Sequence, residues 1–173
     1  LCTICTIEKP WSTNNQTVIT TVNVGHGTCH IVQNSGETLV VDAGSRNNLD
    51  IGRDRIVPAL RRLGVATINT LVVTHSDIDH LCGIIDIARD INIQKIIIAK
   101  QTIENQTKPL ELVLKAVEKK KIKILQRSSG WSEYIGDAKI TMLSPKKQEK
   151  HRTANAHSIV LLLGTNNRTV LFT

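Results

Sequence analysis

At 173 residues the chain is most simply one domain, long enough to bury a real core. Hydrophobic residues make up 40% but aromatics only 2%, so aliphatic Ile, Val and Leu must build that core, and no apolar run approaches the roughly 18–20 residues of a membrane span. The formal charge of +7 with a pI near 9.4 permits contact with a polyanion such as nucleic acid or an anionic membrane surface, while four scattered cysteines exclude a disulfide scaffold.

Residues 1–16 are polar, punctuated by Pro10 and Asn14–Asn15, and form a lead-in to a domain spanning 17–173. Neither an initiating Met nor a signal-peptide pattern opens the chain, so it is expected to be an excised piece. Cys2 and Cys5 form a CxxC without the second ligand pair of a structural zinc site. Asn15, Asn105 and Asn167 sit in N-x-T sequons, which matter only in a eukaryotic secretory pathway.

TVITTVNV (17–24) alternates apolar and polar residues with β-branched character and predicts a strand ending in the turn Gly25-His26-Gly27. TCHIVQN and ETLVVDAG add two strands around a Ser35-Gly36 turn. Residues 50–64 carry Ile51, Ile56, Ala59, Leu60 and Leu63 at helical spacing, stopped by Gly64. INTLVVTH (68–75) is a short apolar strand of the kind buried inside a sheet, and DHLCGIIDIARDIN (79–92) predicts a helix. A buried strand QKIIIAK and an amphipathic helix PLELVLKAVEKKK follow, the latter's start marked by Pro109. KIKILQ, DAKITML, HSIVLLLG and RTVLFT complete the strands, with a hairpin turn over residues 164–167. Strands lead, alternate with helices, then close the chain: a layered α/β (α+β) arrangement.

Between an apolar strand and the predicted helix lies HSDIDH, with four metal-competent side chains in six positions. The carboxyl end of a strand is a favoured place for a site in α/β proteins. His75 and Asp77, two apart, point the same way from extended backbone. Asp79 and His80 are adjacent and diverge. The spacing predicts two divalent ions, one held by His75 and Asp77, the other by Asp79 and His80. Imidazole with carboxylate suits zinc, manganese or iron better than calcium. The alternative is a surface loop in which Asp77 or Asp79 caps the helix and the histidines are incidental.

HSDIDHLCG resembles the H-x-[HD]-x-D-H signature of the metallo-β-lactamase fold. TVNVGHGTCHIV is similar to the D-V-G-Q-G strand-turn-strand of the ComEC-like branch, with Asn23 and His26 departing from the usual Asp and Gln. LVVDAGS resembles the strand-ending D-x-G that follows, and ANAHSIVLLLGTNNRTVLFT the N-x-x-S hairpin that leads into T-G-D. In family order, these matches span about 20–173.

The resemblance to DNA-internalisation competence proteins implies an αββα sandwich. It also implies a dinuclear Zn or Mn site whose bridging hydroxide attacks a phosphodiester, with Asp79 among the catalytic residues. It implies DNA as partner, flanking membrane segments and a bacterial cell envelope location. Asp42 would stand behind the ligands and orient their loop. His26, Asn155 and Ser158 would border the site. The family's remaining ligands are expected beyond Thr173, beginning with a Gly-Asp, so the sandwich is expected to be C-terminally incomplete and its metal binding weakened.

His157 is a less favoured third ligand; His30 is expected to be structural and His151 solvated. Cys82 is expected as a small buried thiol and Gly83 as a close helix–strand approach. The same fold acting on another ester, thioester or phosphoester, and an inactive nucleic-acid-binding module, are the alternative readings.

Overall fold

The computed structural model describes residues 16–146, 158–165 and 167–173. The expectations for Cys2, Cys5, Asn15, His151, Asn155 and His157 lie outside the described residues. The first three strands form the expected meander: β1 (Val18–Thr21), β2 (His30–Asn34) and β3 (Glu37–Val41) pair antiparallel around Ser35 and Gly36, both at positive φ. From β3 the sheet turns parallel, through β5 (Thr70–Val73), β7 (Lys95–Ala99) and β8 (Lys123–Arg127), in the order β1-β2-β3-β5-β7-β8. A small parallel pair, β4 (Thr67–Ile68) and β6 (Asn92–Ile93), sits beside it.

The central strands are apolar at consecutive positions because both faces are covered. Val40, Leu71, Val73, Ile96 and Ile98 face a helical layer. Leu39, Val41, Val72, Ile97 and Ala99 face a second sheet. The helical layer is built from α1 (Val57–Arg62), α3 (Ile84–Asp90) and α5 (Lys108–Lys119). A π-helical turn, Gly52–Ile56, leads into α1: Val57 N–H donates to Gly52 O, and Pro58, lacking an N–H, could not have donated to Asp54 in an α-register. The second sheet is antiparallel, ordered β12-β11-β10-β9, from β9 (Ser132–Ile135), β10 (Ala138–Ser144), β11 (Val160–Gly164) and β12 (Thr169–Phe172). The layers are therefore helix, sheet, sheet: the expected sandwich, with three of its four layers among the described residues. None of the described helices is long and apolar enough to cross a membrane.

Two readings need correction. The helix expected over residues 79–92 is broken into α2 (Ile78–Leu81) and α3, because Gly83 N–H donates to Ala43 O at 2.8 Å. The close approach at Gly83 is to Ala43 and Gly52, where an added Cβ would lie 2.9 and 3.1 Å from backbone atoms. Strand β9 and the five-residue α4 (Lys100–Glu104) were not expected. Neither is long enough to show a period.

Glu133 of β9 ties the two sheets together. It accepts from the buried Thr70 hydroxyl at 2.7 Å and pairs with Lys95 Nζ at 2.8 Å. Glu133→Ala leaves both donors without this acceptor. We expect a loss of about 1–3 kcal/mol, read as a lower urea midpoint at unchanged slope. An unchanged midpoint would show the tie to be dispensable.

Candidate metal centre

The parallel strands all end at one edge of the first sheet, and the cluster follows the end of β5. Asp42, just past β3, adopts φ +56°, a conformation Asp tolerates better than most residues. Its backbone N–H donates to Val72 O at 2.9 Å. Its side chain is 1% exposed and accepts three bonds. Thr74 N–H donates to Oδ1 at 2.8 Å, Thr74 Oγ1–H to Oδ2 at 2.7 Å, and His80 Nδ1 meets Oδ2 at 2.8 Å. Thr74 Oγ1 also lies 3.1 Å from His75 Nδ1. The inner nitrogens of both histidines are thus engaged by protein, which leaves each Nε2 for the outer side.

The four predicted ligands come together in the predicted pairs. His75 Nε2 lies 3.8 Å from Asp77 Oδ2, and His80 Nε2 lies 3.9 Å from Asp79 Oδ2. The two imidazoles sit 3.7 Å apart between centroids. Asp77 occupies the N-cap position of α2, yet its side chain makes no capping bond. That removes the capping alternative for Asp77. Two donors each ~2.0–2.1 Å from a tetrahedral zinc lie roughly 3.3 Å apart, so each pair needs to close by about half an ångström. Among the described residues no group of three His, Cys, Asp or Glu side chains is placed to hold an ion. The donor types and their free nitrogens fit a divalent metal, two ligands to each half of the site.

The backbone of the cluster is clamped from three directions. Thr28 N–H donates to Asp79 O at 3.1 Å and Ala43 N–H to His80 O at 2.8 Å. Thr107, the N-cap of α5, donates its hydroxyl to Ser76 O at 2.7 Å. Gly27 and Gly44 permit this: a Cβ on Gly27 would lie 2.7 Å from Asp79 O, and one on Gly44 2.5 Å from His80 N and Leu81 N.

Other expected residues fall in varied places. His26, 60% exposed, approaches Asp79 Oδ2 at 3.9 Å. Ile159 N–H donates to Thr74 O at 2.9 Å, which brings Ser158 alongside the cluster. His30 instead bonds Thr21 and packs its ring near Phe172. The half-buried Cys82 sulfur accepts from Ser45 N–H at 3.2 Å and holds that loop. Arg46, which the sequence reading missed, places its guanidinium 3.5 Å from Asp79 Oδ1 while remaining 56% exposed. It arrives because Arg46 N–H donates to His26 O at 2.7 Å, a contact no local pattern announces.

Electrostatics separate the two histidines. Burial pulls His75 below the ordinary 6.5, reinforced by His80 and opposed by Asp42, Asp77 and Asp79. Burial acts the same way on His80, but the Asp42 hydrogen bond and charge, with Asp79 and Asp77, outweigh it and hold His80 above 6.5. Burial pushes Asp79 up, but a backbone hydrogen bond and the charges of His80, Arg46 and His26 bring it below its ordinary value. In the metal-free protein, NMR titration of the imidazole protons should therefore place the His75 midpoint below 6.5 and that of His80 above it. Coincident midpoints would contradict the geometry. A proton held on His80 competes with metal at Nε2, so zinc affinity should rise as pH climbs through the His80 midpoint.

A family model described as the metallo-beta-lactamase superfamily matches residues 22–173. No curated protein matches the chain in sequence. Among solved structures, a metallo-beta-lactamase with a HARLDQ motif from Cronobacter sakazakii aligns at TM-score 0.62 and 13% identity, over 94% of this chain and 60% of that one. CmlA, a diiron beta-hydroxylase from Streptomyces venezuelae, aligns at TM-score 0.58 and 19% identity, over 92% of this chain and 30% of that one. A diphosphatase from the PhnP family aligns at TM-score 0.52 and 16% identity, over 80% and 49%. This chain therefore spans 30–60% of the length of these structures, and at such identities the likeness is one of fold.

Proposed function

Because the chain belongs to the metallo-beta-lactamase superfamily, we propose that it is the metal-dependent hydrolase domain of a competence-type nuclease, cleaving DNA phosphodiesters at the bacterial cell envelope. The observation that carries this is the pairing of His75 with Asp77 and of Asp79 with His80 in front of the buried Asp42. When bound, two divalent ions of the zinc or manganese type supply a nucleophilic water at neutral pH and offset phosphoryl charge.

The chain's own residues would do the rest. His75 and Asp77 would hold one ion, Asp79 and His80 the other. Asp42 would accept the hydrogen bond from His80 Nδ1–H, holding the proton on Nδ1 and so presenting a bare Nε2 outward. Thr74 would brace both imidazoles. Arg46, exposed beside Asp79, would meet an anionic substrate at the mouth of the site. The excess of positive charge would draw a polyanion toward it.

The test uses the protein at its full natural length with linear DNA and either manganese or zinc. Cleavage is expected, and it should vanish in the His75→Ala, Asp79→Ala double variant. Absence of cleavage, or cleavage that survives the double variant, would sink the nuclease reading. Salt-sensitive binding without cleavage would instead point to a nucleic-acid-binding module.

A further inference from the structure

The edge of the sheet that carries the cluster continues sideways onto β7 and β8. Val73 pairs with Ile98, Ile98 with Gln126 and Ala99 with Arg127. Two residues beyond Val73 is His75, two beyond Ile98 is Lys100, and two beyond Gln126 is Ser128. With strands ~4.8 Å apart, the end of β8 lies about 10 Å from the end of β5, on the same edge.

There a cleft of about 370 Å³ is lined by Lys100, Gln101, Gln126, Arg127, Ser128, Ser129 and Trp131. Its floor is held rigidly. Ser129 N–H donates to Pro145 O at 2.8 Å, Gly130 N–H to Met142 O at 2.9 Å, and Met142 N–H to Trp131 O at 2.8 Å. Trp131 rests on the inter-sheet core while also lining the cleft. Arg127 has no acidic partner among the described residues and spends one N–H on Gln126 O. Among the described residues Lys100 pairs only with solvent-exposed Glu104, at 3.3 Å. The Ser128 and Ser129 hydroxyls make no hydrogen bond among the described residues. Gln101 is 8% exposed, and its Oε1 accepts no hydrogen bond there either.

Two cations, free hydroxyls and an aromatic ring in one pinned cleft suit a ligand that is part anion and part planar ring. We propose that this cleft is a subsite for the nucleotide adjoining the scissile phosphodiester, with Arg127 and Lys100 facing its phosphate and Trp131 its base. The proposal rests on the phosphodiesterase reading for the identity of the polymer. Stacking on an aromatic ring is sequence-tolerant, and phosphate contacts are too, so the subsite extends the grip on a strand without choosing its sequence.

The test measures anisotropy of a labelled oligodeoxythymidylate on the metal-free, full-length protein, alongside hydrolysis of that oligonucleotide and of bis(4-nitrophenyl) phosphate with manganese. Arg127→Gln should weaken oligonucleotide binding and lower the magnitude of its salt slope by about one. Trp131→Ala should weaken binding roughly 5- to 100-fold, with Trp131→Phe, which preserves a ring and packing, retaining most of it. Both Arg127→Gln and Trp131→Ala should lower the preference for oligonucleotide over the small diester. A Lys119→Gln control, at the far end of α5, should leave binding and its salt slope as in the wild type. Wild-type protein that fails to bind the oligonucleotide, or variants that bind it as wild type does, would overturn the subsite. If Arg127→Gln weakens binding while the wild type hydrolyses neither substrate, the subsite stands and the catalytic reading falls.

Discussion

Asp42→Ala is expected to destabilise the protein by about 3–5 kcal/mol and to abolish measurable metal binding. Three donors lose their acceptor at once: Thr74 N–H, Thr74 Oγ1–H and His80 Nδ1–H. The site is buried, so water does not readily replace it. Alanine at φ +56° adds roughly 1 kcal/mol of backbone strain that Asp tolerates better.

Asp42→Asn separates the two roles. It tolerates the left-handed backbone and still accepts from Thr74 N–H, so its stability cost should stay near 1–2 kcal/mol. Its amide NH2, however, presents hydrogens to His80 Nδ1. The neutral imidazole then places its proton on Nε2, the atom facing Asp79. Metal affinity should fall roughly 10- to 100-fold, and the His80 midpoint should drop from its raised position. Denaturant melts paired with a zinc-competition titration check both. An Asp42→Asn protein that binds zinc like the wild type would show that Asp42 is merely structural.

Gly44→Ala is expected to destabilise the protein strongly. The new Cβ would meet His80 N and Leu81 N at 2.5 Å, and these are backbone atoms with no rotamer to escape into. They are also held in place, since Ala43 N–H bonds His80 O and Gly83 N–H bonds Ala43 O, both at 2.8 Å. A cost of about 3 kcal/mol or more follows from overpacking against a rigid neighbour. Gly164→Ala supplies the contrast. Its Cβ would find Lys139 O at 3.8 Å, an ordinary contact, and its effect should stay within about 0.5 kcal/mol. Equal melting of the two variants would refute the clamp.

The gathering of His75, Asp77, Asp79 and His80 at one place was legible in the sequence because the signal is local. A spacing of two on extended backbone aligns His75 with Asp77, whereas adjacency alone would turn Asp79 and His80 apart, and it is the fold that brings His80 Nε2 to 3.9 Å from Asp79 Oδ2. The apolar run before them announced a buried strand, and the parallel sheet bears that out. Asp42 was reached only through resemblance, since its bonds run 32 and 38 residues along the chain. Arg46 and Thr74 carried no such signal: Arg46 stands among polar residues after DAGS, and Thr74 lies inside the apolar stretch 68–75. The break at Gly83 escaped notice because helical periodicity survives a single-residue interruption, and the cause lies in a hydrogen bond to Ala43. What local pattern could not convey was tertiary: which backbone lies against which glycine.

The clamp around residues 79–81 also has a meaning for how the chain folds. The metal-competent side chains are neighbours in sequence, yet their orientation depends on Thr28, Asp42 and Ala43, delivered by strands made much earlier in the chain. Long-range pairings of this kind form late, after their loop entropy has been overcome. An unfolded or half-folded chain would present the same six residues without the set of their imidazoles. Chelation strength would then serve as a clock for the maturation of the sheet edge, and ions in solution would pull the last step forward by mass action.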